Sequence, residues 1–134
     1  MTRLEQKLIK EQKEKLFIES IKNKKIDGKQ KAEFRKTTIW NNFRKKLFSE
    51  RKIDALTHKK LSKKFNTHHM KLSPEFYTEL NEDWFELLGS SSHDIVHYLY
   101  GYYRKDKEIL VRLKNILDKM VELNDGKDIK DFLK

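Results

Sequence analysis

The chain has 134 residues, 37% of them hydrophobic and 39% charged, with no cysteine and a formal net charge of +10. That length fits one domain with a modest core. The lack of cysteine excludes a disulfide framework or a thiolate zinc ribbon, so any metal must be held by nitrogen and oxygen. No apolar run approaches a membrane span, and the N-terminus, with Glu5, Glu11 and Glu14 among its lysines, lacks the apolar stretch of a signal peptide; a soluble cytoplasmic protein is expected.

The charge is uneven. Up to Phe65 the chain carries 21 Lys+Arg against 8 Asp+Glu, and after it 10 against 13. A concentrated positive field attracts polyanions, which puts nucleic acid ahead of an anionic membrane surface as a partner, although lysine-rich solvated faces are common without either.

Residues 3 to 25 are highly charged and carry only a loose apolar stripe, Leu4, Leu8, Leu16, Phe17 and Ile21, which predicts a basic helical arm over 1–28 punctuated at Asp27-Gly28. From Lys29 to about Arg51, the residues Ala32, Ile39, Trp40, Phe43, Leu47 and Phe48 recur at helical spacing and predict one amphipathic helix. Trp40 and Phe43 read as core, while Arg35, Arg44 and Lys45 lie off the stripe as candidate phosphate contacts. Ile53, Leu56, Leu61, Phe65 and Thr67 are separated by polar tracts holding His58, Lys59, Lys60, Lys63 and Lys64. This predicts a short β-hairpin over Ile53–Met70 and adds those lysines to the candidate surface. Ser73-Pro74 predicts a short helix through Leu80, with a loop from Asn81.

Ser90-Ser91-Ser92 opens a helix through His93, Val96, His97 and Tyr100 toward Gly101, which sets His93 and His97 on one face. The set Ile109, Leu110, Leu113, Ile116, Leu117, Met120 and Val121 then follows helical period in a helix over Arg104–Val121, a scaffold or a dimerisation surface. Packing between these two helices is expected for most of Tyr98, Tyr100, Tyr102 and Tyr103, and a polar tail fills 124–134.

All five histidines lie between His58 and His97. The pair His68-His69 followed by His93-x-x-x-His97 suggests a metal site with its own base, because imidazole is the commonest transition-metal ligand and suits proton transfer near neutral pH. Spacing alone leaves open that they are satisfied core or surface residues.

The order of these elements and their flanks resembles the HNH endonucleases of the ββα-metal fold, most closely small phage-type members without a zinc ribbon. The residues that carry the resemblance are Trp40-x-x-Phe43-Arg44, Leu56-Thr57-His58-Lys59-Lys60-Leu61, Asn66-Thr67-His68-His69-Met70, and Phe85-x-Leu87-Leu88-x-x-x-x-His93-Asp94-Ile95-Val96-His97. The resemblance implies a mostly helical α+β chain, with a ββα-metal core in a nuclease domain over 29–123 between N-terminal and C-terminal helices. It makes His69 the general base and His68 and His93 metal ligands. His97 becomes the family's last histidine, which ligates directly, ligates through water or contacts the phosphate.

The family's middle asparagine, which holds the loop between strand and helix, has Trp84 at its expected position, and Asn81 or Asp83 is the shifted candidate for that role. His58 stands in the hairpin turn where relatives commonly have glycine. Adjacent strand residues face opposite sides, so His68 and His69 can serve one site only if the strand bends or ends there.

The implied cofactor is one divalent cation, Mg2+ or Mn2+, with Zn2+ and Ni2+ open because three imidazoles suit them. The implied reaction is hydrolysis of DNA phosphodiester bonds, nicking or cutting duplex, in the host cytoplasm if the chain is phage-encoded. A homodimer and a phage DNA-processing partner are both open. Two other readings stand beside this one: a noncatalytic DNA-binding protein with a structural zinc site, and an RNase.

Overall fold

The computed structural model describes residues 1–132. In chain order the main elements are α1 (Arg3–Ile21), α2 (Gly28–Arg35), α3 (Thr38–Arg51), β1 (Asn66–His69), β2 (Phe85–Leu88), α4 (Ser90–Tyr103) and α5 (Ile109–Leu123). The chain is mostly helical with one small antiparallel sheet, and it divides into two compact units, Met1–His93 and Asp94–Lys134. That division falls inside α4 and within the expected nuclease segment 29–123. Residues 133 and 134 of the polar tail lie outside the described residues.

In the first unit α1 starts at Thr2, whose side chain accepts from the Glu5 N–H, and most of its length is exposed. Its C-terminal half is docked: Ile21 is buried, Phe17 and Ile18 pack against the core, and the Glu14 carboxylate accepts from the Thr38 N–H at 2.9 Å. The single helix expected from Lys29 to Arg51 is two. Asp27 and Gln30 form a capping box at the start of α2, and Thr37 caps α3 by accepting from the Trp40 N–H. An N-cap needs extended backbone, and Thr37 has it at φ −70°, ψ 151°, so the helix must break there. As expected, α3 then buries Trp40 and Phe43, with Leu47, against the fully buried Phe34, Phe85 and Leu87.

The hairpin expected over Ile53–Met70 is absent as such. Ile53 and Lys60 make one antiparallel bridge that closes a tight turn, and His58 holds φ 60° in it, the left-handed conformation that glycine adopts without strain. The histidine-bearing β1 pairs instead with β2, antiparallel, in the register Asn66↔Leu88 to His69↔Phe85. β2 falls where the sequence predicts a loop, because a four-residue strand gains its stability from its distant partner and gives no periodicity of its own. Between the strands the helix expected from Ser73 to Leu80 shrinks to a single 3-10 turn, Pro74–Phe76. A second turn, Glu82–Trp84, leads into β2, which Arg51 secures by donating to the Phe85 carbonyl at 2.5 Å and the Glu82 carbonyl at 2.8 Å.

In the second unit α5 keeps its predicted apolar stripe, with Leu110, Ile116, Leu117, Met120 and Val121 exposed. The packing expected for the tyrosines of α4 is not found: Tyr98, Tyr100, Tyr102 and Tyr103 are all exposed. No described helix is long and apolar enough to cross a membrane.

Candidate metal centre and its neighbouring pocket

His68 occupies the buried side of β1, 8% exposed, opposite Glu86 of β2. Only Gly89 separates β2 from α4, so the helix sets off directly from the sheet and brings the His93 ring edge-on to His68, 5.3 Å between centroids. His97 follows one turn later on the same continuous helix. One ligating nitrogen from each of His68, His93 and His97 lies within 4.8 Å of the other two. A cation holding nitrogen at about 2.1 Å needs those nitrogens about 3.0–3.4 Å apart, so the three rings would draw in around a bound ion wherever they stand further apart than that. The three imidazoles therefore lie close enough to one another to hold a metal ion.

His69 is the last residue of β1 and faces the other way. Its ring is stacked between two aromatics, Tyr77 at 4.4 Å and 12° and Trp40 at 5.5 Å and 15°, with Phe85 edge-on at 4.7 Å. Burial among these rings pushes its pKa down to about 4; a hydrogen bond with the Tyr77 backbone opposes that shift, and the charges of His68, Lys31 and Arg35 add to it. The ring is neutral at pH 7. Its Nε2 is buried and has no hydrogen-bond partner among the described residues. Strand alternation therefore separates the adjacent histidines: His68 joins the cluster, while His69 lines a cavity of about 390 Å3 with Arg35, Trp40, Arg44, Tyr77 and His93. His93 thus borders both.

The basic residues expected at a phosphate-binding surface separate into groups. Arg35 and Arg44 line the His69 cavity, Arg35 donating to the Tyr77 hydroxyl at 2.7 Å and Arg44 to Thr67 Oγ1 at 3.0 Å. Lys45 and Lys63 line an adjoining groove, and Lys59, Lys60 and Lys64 are exposed on and after the turn closed by Ile53 and Lys60. Asn81 accepts from the Asp83 N–H at 3.0 Å, which caps the turn before β2 and does not reach the junction of β2 with α4.

That junction is held by a residue the sequence reading passed over. Asp54 is buried, and its carboxylate accepts from the N–H groups of Leu56 (2.7 Å), Thr57 (3.0 Å) and Gly89 (2.8 Å). Burial alone would raise its pKa, but these bonds and one with the Ser92 side chain outweigh burial and hold it at about 2. The local signal was Asp54-x-x-Thr57, an aspartate placed to cap its own turn; the partner at Gly89 is 35 residues away and left no trace.

No family model matches this chain, and no curated protein or solved structure matches it either.

Proposed function

We propose that the chain is a divalent-metal-dependent endonuclease of the HNH kind acting on DNA, its ββα-metal core being β1, β2 and the first half of α4. The observation that carries this reading is the shared border: His93, a member of the three-histidine cluster, also lines the cavity that holds a neutral His69 beside Arg35 and Arg44. A base, a cation site and two guanidinium groups within one small region are what phosphodiester hydrolysis needs.

In this mechanism a backbone phosphate enters the cavity and meets Arg35 and Arg44, whose planar donors suit its oxygens. The Tyr77 backbone bond favours a tautomer with its proton on that side, which leaves the Nε2 lone pair as the proton acceptor; because that atom is buried, the attacking water has to be admitted beside it as the phosphate binds. Stacking between Trp40 and Tyr77 fixes the plane in which His69 does so. As water adds to phosphorus the bond to the 3′ oxygen breaks with its electron pair; that oxygen takes a proton from solvent water, leaving a 3′ hydroxyl and a 5′ phosphate, and His69 returns its proton to solvent. His68, His93 and His97 would hold the cation, which when bound offsets charge on the phosphate and the leaving oxygen. A closed structural zinc site would use four ligands, and the exposed His97 speaks for an open one.

The test is nicking of supercoiled plasmid by chelated protein after addition of magnesium, manganese, nickel or zinc. Wild type is expected to cut. His69→Ala should keep metal and DNA binding while cutting falls by about 100-fold or more, the usual worth of a general base. His93→Ala should lose metal binding and cutting together. RNA cleaved while DNA survives would replace the reading with an RNase, and metal that raises the melting temperature without any cleavage would replace it with a structural site.

A further inference from the structure

A second groove, of about 400 Å3, adjoins the His69 cavity and is lined by Asn41, Arg44, Lys45, Phe48, Lys63 and Phe65. The first four stand at i, i+3, i+4 and i+7, so one face of α3 makes one wall, and the segment leading into β1 makes the other. Arg44 and Phe65 line both cavities, so an occupant of the groove lies next to whatever is bound at His69.

The lining is a layer of planar groups with cations around it. Phe48 and Phe65 stack at 4.9 Å and 19°, and the Arg44 guanidinium lies over the Phe65 ring at 4.7 Å. Arg44 is fixed there by donating to Thr67 Oγ1 at 3.0 Å and to the Phe65 carbonyl at 3.1 Å, while Lys45 and Lys63 are exposed. A neutral apolar ligand has no use for three cations, and a duplex backbone alone has no use for an aromatic layer. A nucleotide uses both, through its base and its phosphate. A paired base cannot enter, because its faces are already covered by its neighbours in the helix.

We infer that this groove binds one unpaired nucleotide of the DNA strand beside the phosphate to be cut, its base stacked on the Phe48–Phe65–Arg44 layer and its phosphate met by Lys45 and Lys63. The inference rests on the nuclease reading and narrows its substrate to DNA with a bulged, extruded or single-stranded nucleotide next to the cleavage point.

The experiment compares two labelled duplexes, identical except that one carries a single bulged 2-aminopurine, binding the full chain in excess chelator. Wild type is expected to bind the bulged duplex about tenfold more tightly, in line with base–aromatic stacking, and to quench the 2-aminopurine fluorescence. Phe48→Leu, nearly the same size but without a π face, should lose both the preference and the quenching, and Phe48→Tyr should keep both. Lys63→Gln, on the exposed rim, reduces the preference without threatening the fold. Equal affinity for the two duplexes, or a preference that survives in Phe48→Leu and Lys63→Gln, overturns the groove assignment. If wild type lacks the preference yet cuts plasmid with metal, only this inference falls; if it binds neither duplex and cuts nothing, the nuclease reading falls with it.

Discussion

At His69 the burial that keeps an imidazole neutral also carries a stability cost in acid. An imidazole between Trp40 and Tyr77 is kept neutral by burial, which suits a base, but the unfolded chain is free to protonate it. The folded pKa of about 4 lies below the ordinary 6.5, so between those values the unfolded state binds the proton that the folded state refuses. Stability contributed in this way is intact above pH 6.5 and is lost as the pH falls toward 4. The limiting slope for one proton is about 1.4 kcal/mol per pH unit, and partial exposure of the ring reduces it to roughly half of that. Urea denaturation of metal-free protein at pH 7 and pH 5 should therefore show a loss of about 1 kcal/mol attributable to His69. His69→Phe, which keeps the aromatic stack, should flatten that difference; an unchanged difference would mean that other groups set the acid sensitivity.

At the scale of elements, the site depends on how α4 leaves β2, and Asp54 governs that departure. Its carboxylate joins the turn of Ile53–Lys60 to Gly89 and Ser92, so the helix start carrying His93 is fastened to a loop far away in sequence. Asp54→Asn removes the charge that makes these bonds strong and leaves one acceptor atom in place of two, which should cost about 2 kcal/mol of stability. Because His93 stands one turn from the loosened end, manganese or zinc affinity measured by calorimetry should fall as well, while Asn81→Ala, which disturbs only the turn before β2, should leave it nearly unchanged. Equal metal affinity in wild type and Asp54→Asn would show that the helix start is held by other means.

The same elements show what a sequence can carry. Helical period and caps made α3, α4 and α5 legible, and four histidines at H-H and H-x-x-x-H spacing made the clustered trio His68, His93 and His97 legible as candidate ligands, with His69 as a candidate base. The break at Thr37 escaped because no glycine or proline marks it. β2 and the Asp54 bracket escaped because pairing with Asn66–His69 and bonding to Gly89 are settled only by tertiary contact. For the whole molecule the decisive quantity is charge and where it resides. Met1–His93 holds 22 Lys+Arg against 13 Asp+Glu, a net +9, whereas Asp94–Lys134 holds 9 against 8, a net +1. The excess positive charge therefore belongs to the first unit, the one that contains the His69 cavity and the adjoining groove. Each phosphate neutralised in duplex DNA releases about 0.9 counterion. If Arg35, Arg44, Lys45, Lys59, Lys60, Lys63 and Lys64 were all engaged, the slope of log affinity against log salt would approach about −6. Anisotropy titrations of the metal-free protein on a paired duplex between 50 and 200 mM salt, a range set by that effect, should give a slope between about −4 and −6. Replacing Lys59 and Lys60 together by Ala should reduce its magnitude by about 2, nearly independently of sequence, because these side chains would meet phosphate and not base edges. A slope shallower than about −2 in wild type, or one untouched by the double replacement, would place the DNA elsewhere than on this basic turn.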